Sequence, residues 1–209
     1  MPKGITDNNT QPAYEKSTRQ YNNTWEFLLS ALLTDLSDLI HCNLKTLANG
    51  AKTIQSLPAD QYNYIEKPYF ESCPGKHMRH ILDHYLCFIR DLNSGVINYE
   101  QRDRDHQLES DQGYALTIIQ RICSFLQQLC QNNTQDRSVR ILLCNDVTLP
   151  QGETTKSSIR RELQFLQGHT VHHFALIATM LRFYGLEVPR DFSIAPSTLV
   201  HEETVKHSA

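Results

Sequence analysis

The chain has 209 residues, of which 40% are hydrophobic and 21% charged, enough apolar material for one sizeable core in a single domain. Its formal net charge of −3 provides no basic field for a phosphate backbone, which excludes nucleic acid as an expected partner. The N-terminus lacks the apolar core of a signal peptide, and no apolar run reaches the roughly 18 to 20 residues of a membrane span. We therefore expect a soluble, cytoplasmic protein without a membrane partner.

The first half of the chain predicts an arm and two helices. Residues 1–22 are rich in Asn, Thr and Gln, which bury little surface, and predict a flexible N-terminal arm. From Trp25 to Leu47 apolar residues recur at steps of three and four, the pattern of a long amphipathic helix. After Pro68 and Pro74, the same period predicts a second helix over about 75–92.

The second half predicts two further helices with an extended segment between them. The third helix is expected near 108–131, and the run 139–149 favours a small hairpin or an extended crossover. Ser157 or Ser158 would cap a fourth helix that ends at Tyr184. Four such helices predict an all-α four-helix bundle over residues 23–198, followed by a loose tail over 199–209.

Histidines interrupt the apolar face of the fourth helix, RELQFLQGHTVHHFALIATM. At 100° per residue, His169 lies about 40° from His173, and Glu162 lies about 20° from it, whereas His172 lies about 100° round the helix. A His-x-x-x-His pair on one helical face places two imidazoles where they can share one metal ion. Because two ligands rarely hold a metal, a third is expected from another helix.

The second helix offers that third ligand in PGKHMRHILDHY, where His77, His80 and His84 share one face with Asp83. The alternative is that each histidine is a hydrogen-bonded packing residue, which is the usual state of a buried polar side chain. Six histidines on two inner helix faces would each cost roughly 1 to 3 kcal/mol if unpaired. We therefore favour a metal site.

Four segments carry a resemblance to a known family: GKHMRHILDHY, NYEQRDRD, RELQFLQGHTVHHFALI and VPRDFSIAPST. Over about Trp25 to Thr198 the chain resembles the DinB/YfiT-like superfamily of metal-dependent four-helix-bundle proteins. The resemblance implies a metal site of three histidines, which fall here on His80, His169 and His173. His77 and His84 lie one turn on either side of His80, which leaves open the third ligand and a fourth.

The resemblance also implies a range of activities rather than one reaction. The superfamily includes thiol transferases that use bacillithiol or mycothiol, isomerase and hydrolase relatives, and members without known activity. It implies one divalent transition metal per chain (Zn, Ni or Fe), a small-molecule substrate such as a low-molecular-weight thiol, and a homodimer, because members often pair. A metal-dependent enzyme that activates a thiol or water is the first hypothesis. A non-catalytic structural or stress-sensing metal protein is the alternative.

Other polar residues are candidates for supporting roles. Glu162 and Asp83 could orient a ligand imidazole or act as a general base, Glu162 being the candidate base. The alternative for both is an ion pair with a nearby arginine. Tyr99, Arg102 and Arg104 follow the second helix in NYEQRDRD and could line the mouth of the pocket, although a charged run is usually a solvated face.

Overall fold

The computed structural model describes residues 35–143 and 152–207. The elements are, in chain order, α1 Ser37–Gln55, α2 Ala59–Tyr62, α3 Pro74–Asp91, β1 Val96–Ile97, α4 His106–Ser110, α5 Gln112–Gln131, β2 Ser138–Leu142, β3 Thr154–Ser158, α6 Ile159–Phe183, a 3₁₀ turn Arg190–Phe192 and α7 Pro196–His207. All of them belong to one unit, Leu36–Ala209. The arm predicted over residues 1–22 lies outside the described residues.

The helical content confirms the predicted all-α fold class. Among the four long helices, α1 contacts α5 and α6, and α3 contacts the same two. Each of the four helices directs an apolar stripe to a shared core. The residues that are 0% exposed in this core include Leu47 from α1, Ile81 and Phe88 from α3, Ile122 from α5 and Leu163 from α6. This packing places α3 directly against α6, the two helices that carry the histidines.

A buried polar link joins three helices beside that contact. The Tyr85 hydroxyl of α3 donates to Asn43 Oδ1 of α1 at 2.7 Å, and Asn43 Nδ2 donates to the Leu163 carbonyl of α6 at 3.1 Å. Because buried polar groups need partners with defined directions, these bonds fix the positions of α1, α3 and α6 relative to one another more narrowly than apolar contacts do.

Helix ends match the predictions in part. Ser158 caps α6 by accepting a hydrogen bond from the Arg161 amide at 3.3 Å, and Gly185 follows the helix with φ of 77°. The start of the first predicted helix, at Trp25, lies outside the described residues, and its described part runs on to Gln55. The third predicted helix is interrupted at Asp111, whose carboxylate accepts from the Tyr114 amide and begins a new helix.

The extended segment forms part of a three-stranded sheet of order β1-β2-β3. Strands β2 and β3 are antiparallel, with Arg140 opposite Lys156, and β1 adds a parallel pair, Val96 opposite Arg140. The predicted run 139–149 therefore supplies strand β2, but the antiparallel partner of β2 is Thr154–Ser158, which lies beyond that run. Strand β1 was not predicted, because two residues are too few to show an alternating pattern.

The C-terminal segment differs from its prediction. Where a loose tail was expected over 199–209, helix α7 continues to His207. An ion pair between Arg190 and Glu202 at 2.5 Å ties the helix to the 3₁₀ turn before it, and the half-buried Leu199 lies in a cleft with Phe192 and Phe174. These contacts are tertiary, so the polar composition of the segment did not reveal them. In the described residues, no helix combines the length and the apolar character that crossing a membrane requires.

Candidate metal centre

Four imidazole rings meet where α3 crosses α6. The ring centroids of His80 and His169 are 5.0 Å apart, and those of His84 and His169 are 4.3 Å apart. The His173 ring lies 4.7 Å from His80 and 4.6 Å from His169. Each helix contributes its rings from adjacent turns, as the spacing of four residues requires. We call His80, His84, His169 and His173 the histidine cluster.

The cluster contains donor atoms suited to a metal ion. One ring nitrogen from each of His80, His84 and His169 lies within 4.8 Å of the other two, so these three side chains could hold an ion. Among the described residues, the buried Nε2 of His169 has no hydrogen-bond partner. A buried imidazole nitrogen without a partner costs about 1 to 3 kcal/mol, a cost that a coordinated cation would remove. The donor set therefore fits a divalent transition metal.

The two outer rings of the cluster have defined contacts. His84 Nδ1 lies 2.8 Å from the His80 carbonyl oxygen, which can only accept, so Nδ1 carries the proton and Nε2 the lone pair. Arg102 Nη1 lies 3.4 Å from that Nε2. On the other side, His173 Nδ1 lies 2.9 Å from His77 Nδ1, so one of these nitrogens donates to the other.

The environment keeps the cluster imidazoles neutral at pH 7. Burial, together with the charge of neighbouring imidazoles, lowers the pKa of His80 to about 4 and those of His169 and His173 to about 3. Burial also lowers the pKa of His84 and of His77. Neutral imidazole is the form that binds a metal, so the site needs no deprotonation at physiological pH. His172 lies outside the cluster, because it is exposed and its ring is 5.2 Å from the His173 ring, edge to face.

Comparison with known proteins identifies the family of the chain. The model of the DinB family matches residues 34–194. The chain belongs to the DinB family. It is also 33% identical over 109 residues to a protein of Rhizopus delemar named FK506-binding protein 5, a match that covers 51% of this chain and 27% of that protein. The chain thus spans about a quarter of that relative's length. No solved structure matches.

In this DinB-family chain, two buried carboxylates lie near the cluster in different settings. Asp83 is 2% exposed, and its Oδ1 has no hydrogen-bond partner among the described residues. Burial raises the pKa of Asp83, an effect that the charges of Arg79 and Arg102 oppose. Glu162 accepts hydrogen bonds from the Tyr99 hydroxyl at 2.8 Å and from the Ser157 hydroxyl.

The ion-pair alternative for Glu162 is not what the described residues show. Arg160 pairs with Asp136 at 3.8 Å, and the guanidinium of Arg161 lies 5.9 Å from the ring centroid of Phe165. Hydroxyl donors therefore stabilise the Glu162 carboxylate. No direct contact between Glu162 and the histidine cluster is described, so a base role would act through the Tyr99 or Ser157 hydroxyl.

The three residues expected at the pocket mouth lie in three different environments. The Tyr99 ring is buried and stacks on His84 at 5.5 Å between centroids, and Arg102 approaches the same histidine. Arg104 is exposed and has a left-handed backbone, with φ of 52°. Tyr99 and Arg102 therefore belong to the surroundings of the cluster, and Arg104 lies in the exposed turn beyond them.

Phe165 completes one wall of the site and was missed in the sequence. Its ring lies 5.5 Å from His169, 6.1 Å from His84 and 5.3 Å from Tyr99. Its position four residues before His169 was a signal, because such residues are neighbours on a helix. Tyr99 and Phe165 also line a cavity of about 280 Å³, together with Ile141, Lys156, Arg161 and Glu162.

Proposed function

We propose that this DinB-family protein is a metal-dependent enzyme that activates a thiol or water for transfer to, or hydrolysis of, a small molecule. The observation that carries the proposal is the buried Nε2 of His169, which has no hydrogen-bond partner among the described residues and lies among three other imidazoles. His80, His169 and His173 would hold one Zn, Ni or Fe ion. Such an ion would supply Lewis-acid chemistry that lowers the pKa of a water or thiol toward neutral pH, while the three histidines hold it.

The choice of third ligand rests on electrostatics. The described group of ring nitrogens within 4.8 Å of one another consists of His80, His84 and His169, and the His173 ring lies 4.7 Å from His80 and 4.6 Å from His169 between centroids. Arg102, however, faces the free lone pair of His84. A cation at His84 Nε2 would displace that guanidinium and then repel it. His173 instead has His77 as a partner on Nδ1, which leaves its Nε2 for the ion, the arrangement expected of a ligand with an orienting hydrogen bond.

The side chains around the histidine cluster would exclude water from it and would donate or accept protons. Tyr99 and Phe165 cover one side of the cluster with aromatic rings, and burial raises the pKa of the Tyr99 hydroxyl, which therefore stays protonated. That hydroxyl donates to Glu162. Glu162, held by the Tyr99 and Ser157 hydroxyls, is therefore the group on the cavity side that would accept a proton.

The test is to combine metal analysis with a reaction assay. We expect protein purified without added metal to contain about one transition metal ion per chain, and to consume a low-molecular-weight thiol in the presence of an electrophile such as 1-chloro-2,4-dinitrobenzene. Chelation should abolish turnover, and Zn or Ni should restore it. A His172→Ala variant, altered at an exposed position, should behave as the wild type. Protein that takes up no metal would refute the proposal.

A second candidate function is a non-catalytic metal site that joins α3 to α6. The specific observation in its favour is that the 5% exposed His84 is one of the four clustered rings, so a fourth imidazole is present to close the ligand set. Cobalt substitution separates the two. Added thiol should change the visible spectrum of Co(II) protein if a coordination position is open, and should leave it unchanged if four imidazoles fill the site.

A further inference from the structure

We propose that the cavity beside the histidine cluster binds a small organic carboxylate: a molecule with one carboxylate group on an apolar body. The cavity has about 280 Å³ of space, close to the lower end of the size range of small-molecule sites. This inference rests on the proposed function, since it names the substrate class for the same centre. The argument comes from the charges at the rim of the cavity and from its aromatic wall.

The charges at the rim favour an anion. Lys156 and Arg161 line the cavity, both are exposed, and neither takes part in an ion pair within the described part of the chain. Arg161 also lies in the first turn of the 25-residue helix α6, where the helix dipole adds positive potential. A carboxylate placed between the two side chains would gain two charge-assisted contacts, whereas a cation would be repelled by both.

The acidic group of the cavity does not cancel this preference. Glu162 is 4% exposed, and its two oxygens already accept hydrogen bonds from Tyr99 and Ser157. Its charge is therefore held on the inner side of the cavity, while the cationic groups stand in solvent at the rim. This separation of charges would orient a bound molecule, with its carboxylate toward Lys156 and Arg161 at the rim and its neutral end toward Glu162 on the inner side.

The inner wall is suited to an apolar body. Phe165 and Tyr99 present aromatic rings, Ile141 adds an aliphatic surface, and the Arg161 guanidinium lies over the Phe165 ring at 5.9 Å. The same two rings touch the cluster, Tyr99 on His84 and Phe165 on His169. A ligand body seated on these two rings would therefore contact the same side chains that contact the histidine cluster.

Three ligands of nearly equal shape test the preference: phenylacetate, phenylacetamide and phenethylamine. We expect calorimetry or NMR titration of the full chain to show that phenylacetate binds at least about tenfold more tightly than the other two. The Lys156→Gln/Arg161→Gln double variant should bind phenylacetate and the amide equally. Arg121→Gln, which removes one positive charge from an exposed site on α5, should keep the preference. Because both cavity cations are exposed, the double variant should melt as the wild type does.

Two outcomes would overturn the proposal: equal affinity for the acid and the amide, or an equal loss of preference in Arg121→Gln. Titrating the metal-depleted and the zinc-loaded protein in parallel separates this inference from the proposed function. If zinc binds but phenylacetate has no advantage, the carboxylate site is wrong and the metal centre stands. If phenylacetate is preferred but zinc never binds, the metal function fails and the carboxylate site stands.

Discussion

His84 and His173 are the two residues that compete for the third position beside His80 and His169. Their rings are at similar centroid distances from His169, 4.3 and 4.6 Å, and of the two it is His84 whose nitrogen belongs to the described group within 4.8 Å of His80 and His169. Their outer contacts differ, because Arg102 faces His84 and His77 faces His173. A guanidinium is a fixed cation, whereas an imidazole is a neutral donor or acceptor at pH 7. The partner of each ring therefore predicts which one receives the ion.

Replacing these two histidines separately should give unequal effects. We expect His173→Ala to weaken zinc binding by more than about 100-fold, because it removes a ligand, and His84→Ala to weaken it by no more than about tenfold, as for a supporting contact. Competition with a chromophoric chelator measures both, and His172→Ala is the exposed control. If His84→Ala empties the site while His173→Ala keeps it, the ion is bound by His80, His84 and His169.

At the residue scale, the sequence predicted which histidines meet but not how each is bonded. The period of 3.6 residues placed His77, His80 and His84 on one face of α3 and His169 and His173 on one face of α6, whereas the choice of His80 among the first three came from the family resemblance. In the structure the rings of His80, His84, His169 and His173 are together. The 3.4 Å approach of Arg102 to His84 depends on the path of the loop after α3, which no periodicity encodes. For the same reason, the hydrogen bonds of Glu162 to Tyr99 and Ser157 were outside the reach of the sequence.

At the element scale, the packing of α1 on α6 depends on a glycine within a helix. Gly50 lies in α1, and a Cβ atom at this position would overlap the Phe174 ring of α6. The apolar pattern of the first predicted helix ended at Leu47, but the helix continues through Gly50 to Gln55. Close approach of two helices, rather than a turn, is the reason for glycine here.

Two glycine-to-alanine changes should therefore have opposite effects on stability. Gly50→Ala should lower the free energy of unfolding by about 1 to 3 kcal/mol, because the added methyl group overpacks the α1–α6 contact. Gly168 is exposed on α6, and no atom lies within 4 Å of a Cβ added there. Gly168→Ala should therefore raise the free energy of unfolding by about 0.5 to 1 kcal/mol. Urea denaturation measures both. Equal effects at the two positions would show that helix propensity, not packing, controls Gly50.

Helices were the predictable elements of this fold, and short or tertiary elements were not. The apolar periods located α3 and α6 to within a few residues, because each buries a continuous stripe. The break at Asp111, strand β1 and helix α7 each depend on a cap, a two-residue pairing or contacts with distant residues. Local pattern carries little information about such features. The sequence therefore predicted a helix that continues through Asp111, no strand at Val96–Ile97 and a loose tail over 199–209.

For the molecule as a whole, the histidine cluster makes the stability of the folded state depend on pH. Its rings come from α3 and α6, which are far apart in the chain and meet only in the folded state. The folded pKa values of His80, His169 and His173 are about 4, 3 and 3, whereas the unfolded chain titrates near 6.5. Below about pH 6.5 the unfolded chain therefore binds protons that the folded chain does not, and stability must fall with pH.

Metal-depleted protein should accordingly melt at progressively lower temperature as pH falls from 7.5 to 5, with little change above pH 7.5. Zinc should raise the melting temperature at pH 7.5, because an ion at 100 times its dissociation constant adds about 2.7 kcal/mol to the folded state. That gain should shrink as pH falls, since protons compete for the same nitrogens. His169→Gln, which cannot titrate, should flatten the pH dependence of the depleted protein, whereas His172→Gln should not. A melting temperature constant between pH 7.5 and 5 would mean that the cluster protonates as readily when folded as when unfolded, contrary to its burial.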